Sequence, residues 1–506
     1  LIFILAAAVT VADLAPSALP TLQLPKAFAK VSPAQYSVAL RRFYSQFESP
    51  EAIKQQKKIM RSIIAATEIV QGRLPQQMPE LFKAMSARLE GTEIDRPSVA
   101  EINAPLSQFL YNGDVMLSPD DFGRVADNAD YESRNNIRHK RGAPVVTSTR
   151  WSKTQPIGFI ISSDIEESTK KLIRTATQKI ADNTCLSFKE NSNVGTQLQF
   201  FRGGGCYSFI GRQFGSFQKI SIDTGCELVG IIAHEITHAL GIDHTQNRKD
   251  RDAHITVNFA AIAPDTIHNF VKLSDADNNN FGVAYDYGSD LHYGAFDFSI
   301  NGDPVIVASE TDYINTMGQR KYMTFNDYQM INLLYNCSEN CPKQVSCLNG
   351  GYPSPKDCNA CVCTDFHYGT NCNLPKTTIS ITSSRPGNTS FHQDFNSKIY
   401  NTDNYNWDKF GKDAPKIIRA PMGKRIKVTI NQIYAVFGAL PCYLGCPFVG
   451  AEFVDNEKGD LTTMGKIFCC TKYENTSFIS KTNVIGYKAY AAPGMPFDAK
   501  VTYSVV

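Results

Sequence analysis

Residues 233 to 244 read AHEITHALGIDH, a run that holds three of the chain's nine histidines beside one glutamate and one glycine. His234 and His238 are four apart, so on an α-helix they lie one turn apart on one face and both imidazoles can address a single ion. A helix continued past His238 would carry residue 244 away from that face. Gly241 suits the left-handed turn that brings His244 back. Three neutral imidazoles with one position open make a catalytic zinc arrangement, because structural sites close all four positions, usually with cysteine. Glu235 follows the first ligand directly, where its carboxylate can take a proton from water that the metal has acidified. A lone His-x-x-x-His would leave open a merely histidine-rich amphipathic helix, but the full H-E-x-x-H-x-x-G-x-x-H string sets that aside. The expected ligands of one Zn2+ are therefore His234, His238 and His244, with Glu235 as general base.

Such a site needs a scaffold, and residues 142 to 338 supply its parts. The segment ELVGIIAHEITHAL reads as the metal-bearing helix and EESTKKLIRTATQKIADNT as an amphipathic one. IGFIIS, TQLQFF and QKISI read as strands, and FNDYQMINLLYNC as a closing helix. The histidine string extends to HEITHALGIDHTQNRKDRD, with GGGCYSFIGR before it and YDYGSDLHYG after it. Together these resemble the catalytic domain of an astacin-family zinc endopeptidase, one of the metzincins, which implies an α+β fold for this block.

The resemblance implies roles residue by residue. His234, His238 and His244 match the family's zinc ligands and Glu235 its base. Tyr293 matches a tyrosine beside the metal, whose phenol can donate to a developing oxyanion. Cys185 is implied to pair with Cys337, and Cys206 with Cys226, each bond contributing roughly 2–4 kcal/mol. Two positions depart from the family pattern. Leu291 stands where the turn beneath the zinc usually carries methionine, a swap of similar volume that should preserve packing. Thr245 stands where many relatives have a glutamate that pairs with the freed N-terminus, so burial of a new N-terminus at Gly142 is not assumed. His254 and His268 have no assigned role; one is expected to fill an aromatic position and the other to be exposed.

A length of 506 residues points to about three domains, and 42% hydrophobic residues exclude wholesale disorder. The net charge of +2 and the lack of a long basic tract argue against a nucleic-acid partner, and no later apolar run is long enough to span a bilayer. Residues 1–15, LIFILAAAVTVADLA, read as a secretory signal; without an initiating Met or a basic start, the sequence is expected to be truncated there. All fourteen cysteines lie at or after Cys185, an even set that implies a disulfide framework and an extracellular location.

Residues 16–141 form a first block, expected to be a pro-segment, with an amphipathic packing helix in AIKQQKKIMRSIIAATEIV. It ends in RHKR, where Arg138, Lys140 and Arg141 suggest a processing site. A silent precursor must shield the open metal position, and no cysteine before Cys185 can do so as a thiolate. The stretch LYNGDV, residues 110 to 115, resembles the Phe-x-Gly-Asp motif of astacin pro-segments, with Tyr111 in the aromatic place. Asp114 is thus the expected zinc switch, and Gly113 lets the backbone come close.

Residues 341–372 carry six cysteines and resemble an EGF-like module, which implies Cys341–Cys358, Cys347–Cys361 and Cys363–Cys372. Residues 377–506 show strand-like alternation at Ile426, Val428 and Ile430 and again at Val501, Tyr503 and Val505, and resemble a divergent all-β CUB-like sandwich. The pairing of Cys442, Cys446, Cys469 and Cys470 stays open. Sequons mark Asn388 and Asn475 as glycosylation sites, with Asn336 a third beside a cysteine. The whole reads as a secreted zinc endopeptidase made as a zymogen. Its EGF-plus-CUB tail resembles the nematode branch of the family, with matrix, cuticle or egg-covering proteins as substrates. A silent matrix-binding scaffold would be expected to have lost Glu235 or a ligand, and a small-molecule enzyme would have little use for the tail.

Overall fold

The computed structural model describes residues 33–47, 49–71, 92–93, 96–118, 150–192, 195–273, 278–341, 343, 345–382, 386–393, 407–434 and 442–506. The apolar opening, the RHKR stretch and Gly142 lie outside the described residues.

The N-terminal segment contributes helices α1 (Pro33–Ser45) and α2 (Pro50–Gln71) and a short strand, β1 (Val115–Met116). Their apolar side chains are used at once: Leu40 and Phe43 of α1 and Met60 and Ile63 of α2 are buried. They pack on Leu106, Phe109 and Tyr207 in one cluster and on Tyr111, Val115 and Leu117 in another.

The central domain is built on β2 (Ile157–Ile161), helix α3 (Glu167–Asn183), β3 (Phe188–Glu190), β4 (Gln197–Phe201), β5 (Cys206–Phe209) and β6 (Phe217–Ile222). With β1 these strands form one sheet in the order β1-β5-β6-β4-β2-β3. Only the β5–β6 pair is antiparallel. α3 buries Ile173, Ala176, Thr177 and Ile180, a stripe at helical spacing that faces the sheet.

Next comes α4 (Val229–Ala239), which is apolar almost all round and therefore buried from Gly230 to Ala239. A Cβ on Gly230 would run into the Arg320 carbonyl, so glycine lets the helix lie that close to its neighbour. Helix α5 (Phe325–Leu334) opens with a reciprocal capping box: Asp327 N donates to Thr324 Oγ1 at 3.2 Å and Thr324 N to Asp327 Oδ2 at 2.8 Å. The disulfide Cys185–Cys337 ties the end of this helix to the end of α3, and Cys206–Cys226 closes the β5–β6 hairpin.

Between α4 and α5 the chain is mostly short 3-10 turns around an aromatic core that includes Phe270, Tyr285, Tyr287, Tyr293 and Phe298. After α5, a small module has three disulfides, Cys341–Cys358, Cys347–Cys361 and Cys363–Cys372, in place of a large core. The C-terminal domain is two packed sheets, of six and four strands. Ile426, Val428, Ile430, Val501 and Tyr503 all point into its core. Here the structure resolves what the spacing left open, joining Cys442 to Cys470 and Cys446 to Cys469. This domain packs on the central one through Asn315 Nδ2 to the Ile467 carbonyl (3.1 Å) and Thr316 Oγ1 to the Gly465 carbonyl (2.7 Å). Among the described residues no helix is long and apolar enough to cross a membrane.

Candidate metal centre

Helix α4 carries His234 and His238 on one face, and the way it stops decides where His244 goes. Leu240 caps it and Gly241 takes φ +102°, a conformation that a side chain resists. Gly241 N donates to the His238 carbonyl at 2.8 Å and Ile242 N to the Thr237 carbonyl at 3.2 Å, which satisfies the last turn while the chain reverses. The result is three imidazoles in mutual contact. Ring centroids lie 4.6 Å apart for His234–His238 and for His238–His244, and 5.3 Å apart for His234–His244.

Their tautomers follow from their partners. His234 Nδ1 donates to the Asp290 carbonyl at 2.6 Å, and His238 Nδ1 to the Ile242 carbonyl at 2.8 Å. Both Nε2 atoms are then left with bare lone pairs, yet they face each other at 3.0 Å. Two lone pairs at that separation in a fully buried site repel unless a positive charge lies between them. The donor chemistry thus calls for a cation.

Asp114 comes to the same point from the N-terminal segment. Its Oδ2 is 3.1 Å from His234 Nε2 and 3.3 Å from His244 Nε2, and its Oδ1 is 3.5 Å from His238 Nε2. Ligand atoms of the four side chains all lie within 4.8 Å of one another, and all four are buried. Three imidazoles and one carboxylate suit a borderline cation such as zinc. The electrostatics agree. Burial, then the neighbouring His238, pushes His234 down to about 3, as a neutral ligand requires. Burial also opposes charge on His244, but the adjacent Asp114 and Asp243 lift it to about 9, so a bound cation must displace a proton there. Burial works against charge on Asp114 too, yet His244 and the hydrogen bonds to the three imidazoles hold its carboxyl well below the usual range.

Two further groups border the cluster. Glu235 is completely buried, and neither of its carboxylate oxygens has a hydrogen-bond partner. Burial first and the Asp114 charge second push its carboxyl well above the usual range, which is the condition of a group poised to hold a proton. The Tyr293 ring lies 4.6 Å from that of His244, and its hydroxyl donates to the Asn112 carbonyl.

The loop bearing Asp114 is held by partners that sequence reading did not find. Tyr111 and Val115 exchange backbone hydrogen bonds of 2.8 Å each way, closing a tight turn. Gly113 has φ +75°, and a Cβ there would stand 2.7 Å from Phe298 Cζ, so conformation and space both demand glycine. Gly113 N donates to Asn269 Oδ1 at 3.1 Å and its carbonyl accepts from Asn103 Nδ2 at 2.9 Å. Asn112 Nδ2 donates to Asp243 Oδ1 at 3.0 Å. Residues 103, 243 and 269 come from separate segments, and nothing in their spacing signals the clamp.

Leu291 is buried in the turn beneath the cluster, and its carbonyl accepts from Thr245 N at 3.0 Å. Thr245 Oγ1 donates to Ser289 Oγ at 2.8 Å, and Ser289 Oγ in turn to Asp327 Oδ1 at 2.6 Å. One expectation needs correcting: neither His254 nor His268 is exposed. His254 is half-buried and stacks on Tyr285 at 4.4 Å, while His268 is buried against Tyr111 at 6.3 Å. Both fill aromatic positions, because each faces a tyrosine supplied by a distant segment. The sequon asparagines Asn336, Asn388 and Asn475 are all exposed.

Comparison with known proteins points the same way. The profile described as Astacin, a peptidase family, matches residues 145–336. Zinc metalloproteinase nas-28 of Caenorhabditis elegans is 31% identical over 463 residues, covering 87% of this chain and 88% of the relative. Zinc metalloproteinase nas-31 of the same organism is 30% identical over 443 residues, covering 85% and 69%. Among solved structures, High choriolytic enzyme 1, a hatching enzyme zinc-protease from the medaka fish Oryzias latipes, is 34% identical and covers 40% of this chain and 99% of that one, with a TM-score of 0.36. A relative aligned over most of both lengths, and a buried cluster of imidazoles whose bare lone pairs require a cation, establish that the chain belongs to the astacin family of zinc metalloproteinases.

Proposed function

We propose that the chain is the zymogen of a secreted zinc endopeptidase that cleaves extracellular proteins, with residues 16–141 as its removable pro-segment. The observation that carries this reading is the Asp114 carboxylate, brought in by a separate N-terminal segment to within 3.5 Å of all three imidazole Nε2 atoms. Held by His234, His238 and His244, zinc supplies a Lewis acid that polarises a carbonyl and acidifies water. Glu235 takes the proton from the attacking water and delivers it to the leaving amine. The Tyr293 hydroxyl, once its Asn112 partner departs, donates to the oxygen of the carbonyl under attack. Cleavage after Arg141, in the stretch that includes Arg138 and Lys140, turns an intramolecular blocker into a dissociable one and lowers its effective concentration at the site.

Secretion is supported by the apolar opening and by the disulfides, since no free cysteine remains among the described residues. The cysteine-rich module (341–372) is read as EGF-like and the C-terminal β-domain (377–506) as CUB-like, modules suited to holding large extracellular partners. Matrix, cuticle or egg-covering proteins are the substrate class this architecture favours, by fold-level analogy. The test is a peptide-library digest with the processed protein, with and without a zinc chelator. Cleavage that the chelator abolishes and added zinc restores is expected; cleavage indifferent to the chelator, or none, overturns the reading.

A further inference from the structure

Helix α1 rests on a surface of the central domain that the chemistry above does not call on, and the seat is built in three parts. The first is glycine. In the run Arg202-Gly203-Gly204-Gly205-Cys206, Gly204 has φ +95° and a Cβ there would run into the Ala39 carbonyl, so the helix backbone settles directly on the loop backbone. The second is aromatic. Phe43 is fully buried, edge-on to Tyr207 at 5.7 Å and tilted against Phe109 at 4.7 Å. Tyr207 also accepts from Gln46 Nε2 at 2.8 Å, and Lys219 Nζ donates to the Gln46 carbonyl at 3.0 Å, just past the helix C-terminus.

The third part is charge. Asp223 is buried and pairs with Arg202 at 3.2 Å, and Arg202 also pairs with Glu166 and faces Glu227 at 3.8 Å. Three carboxylates therefore surround one guanidinium. Arg42 of α1 brings a second cation, in contact with Asp223. With the whole N-terminal segment gone, α1 and the Leu106–Met116 stretch together, the surface keeps its glycine floor, the uncovered Tyr207 ring and an excess of negative charge.

The seat adjoins the cleft. Tyr207 lies on β5, and the next residue, Ser208, donates its N–H to the Asp114 carbonyl at 3.0 Å. A protein lying in the cleft thus passes beside the seat.

We infer that this surface is a substrate-docking site of the processed enzyme. Its occupant is a helical segment of a protein substrate that turns an arginine toward Asp223 and an aromatic ring toward Tyr207. The inference rests on the proposed removal of the pro-segment. It implies that protein substrates gain affinity from a segment that short peptides lack.

The test uses the processed full-length chain and three substrates: a short fluorogenic peptide, the same peptide joined by a flexible linker to PAQYSVALRRFYSQF (residues 33–47), and that fusion with Arg42→Glu. The fusion should show a KM about tenfold lower than the short peptide at similar kcat, and the Arg42→Glu fusion should return to the short-peptide value. Asp223→Asn in the enzyme should erase the preference between the two fusions. Equal KM for all three substrates overturns the inference and leaves the protease reading standing. If no substrate is cleaved, the protease reading fails, and fluorescence anisotropy of the labelled, uncleaved substrates decides docking alone: tighter binding of the fusion than of the short peptide, weakened by Arg42→Glu, upholds it, and equal binding of all three overturns it. Binding of the free peptide with no KM effect in the fusion would mark a site for the released pro-segment only, and would equally overturn substrate docking.

Discussion

Tyr293 donates its phenolic hydrogen to the backbone carbonyl of Asn112, two residues before the carboxylate that sits among the three imidazoles. On the proposed reading, the N-terminal segment thus engages the catalytic donor as well as the metal position. In the proposed processed enzyme the same hydroxyl would be free to meet the substrate oxygen. Replacing Tyr293 with Phe should lower kcat by about 10²-fold with little change in KM, since the bond is made to the transition state. Steady-state kinetics on the processed protein would show it, and an unchanged kcat would remove Tyr293 from the mechanism.

Glu235 ligates nothing in the cluster and carries two buried oxygens without partners. Glu235→Ala should therefore leave zinc bound at one per chain and lower peptide cleavage by roughly 10²–10⁴-fold. Metal content by mass spectrometry and turnover on a casein-type substrate test the two halves separately. Substantial residual turnover would sink the assignment of the base.

Gly113 lets the loop that carries Asp114 approach the imidazoles, through its φ of +75° and a missing Cβ that would stand 2.7 Å from Phe298. Gly113→Ala should destabilise the blocked arrangement by about 1–2 kcal/mol. In a chain whose RHKR is mutated against processing, this should appear as a measurable leak of peptidase activity. A chain as silent as its parent would mean that the loop's position does not hold the enzyme off.

Asn388 and Asn475 are exposed and should carry glycans when the chain passes through a eukaryotic secretory pathway. Asn336 is exposed as well, but its side chain is engaged by Glu339 and the next residue is the disulfide-bonded Cys337. Intact mass before and after deglycosylation should fall by the equivalent of at least two glycans. No change would count against export by that route.

The three imidazoles of the cluster were legible in the sequence because their geometry is local, a four-residue helical spacing and then a glycine where the chain must reverse, whereas Asp114, 120 positions before His234, was reached only by resemblance to a family motif. The strands of IGFIIS, TQLQFF and QKISI were legible for the same reason, since alternation and β-branching act within a few residues. Tyr293 was another matter. It stands 49 positions beyond the third histidine, His244, and only resemblance to a family pointed to it. The asparagine clamp of Asn103 and Asn269 on Gly113, and the meeting of Arg42 with Asp223, join residues far apart in the chain, so no periodicity records them. His254 and His268 show the same limit from the other side. An isolated histidine carries no sign of whether a tyrosine waits for it in the folded chain.

The account turns on one carboxylate. With RHKR mutated against processing, the otherwise unchanged chain should be silent, and the same chain with Asp114→Ala should hydrolyse a fluorogenic peptide in a zinc-dependent way while remaining uncleaved on a denaturing gel. If both chains are equally silent, the segment holds the enzyme inactive by covering the cleft, and Asp114 is not the switch.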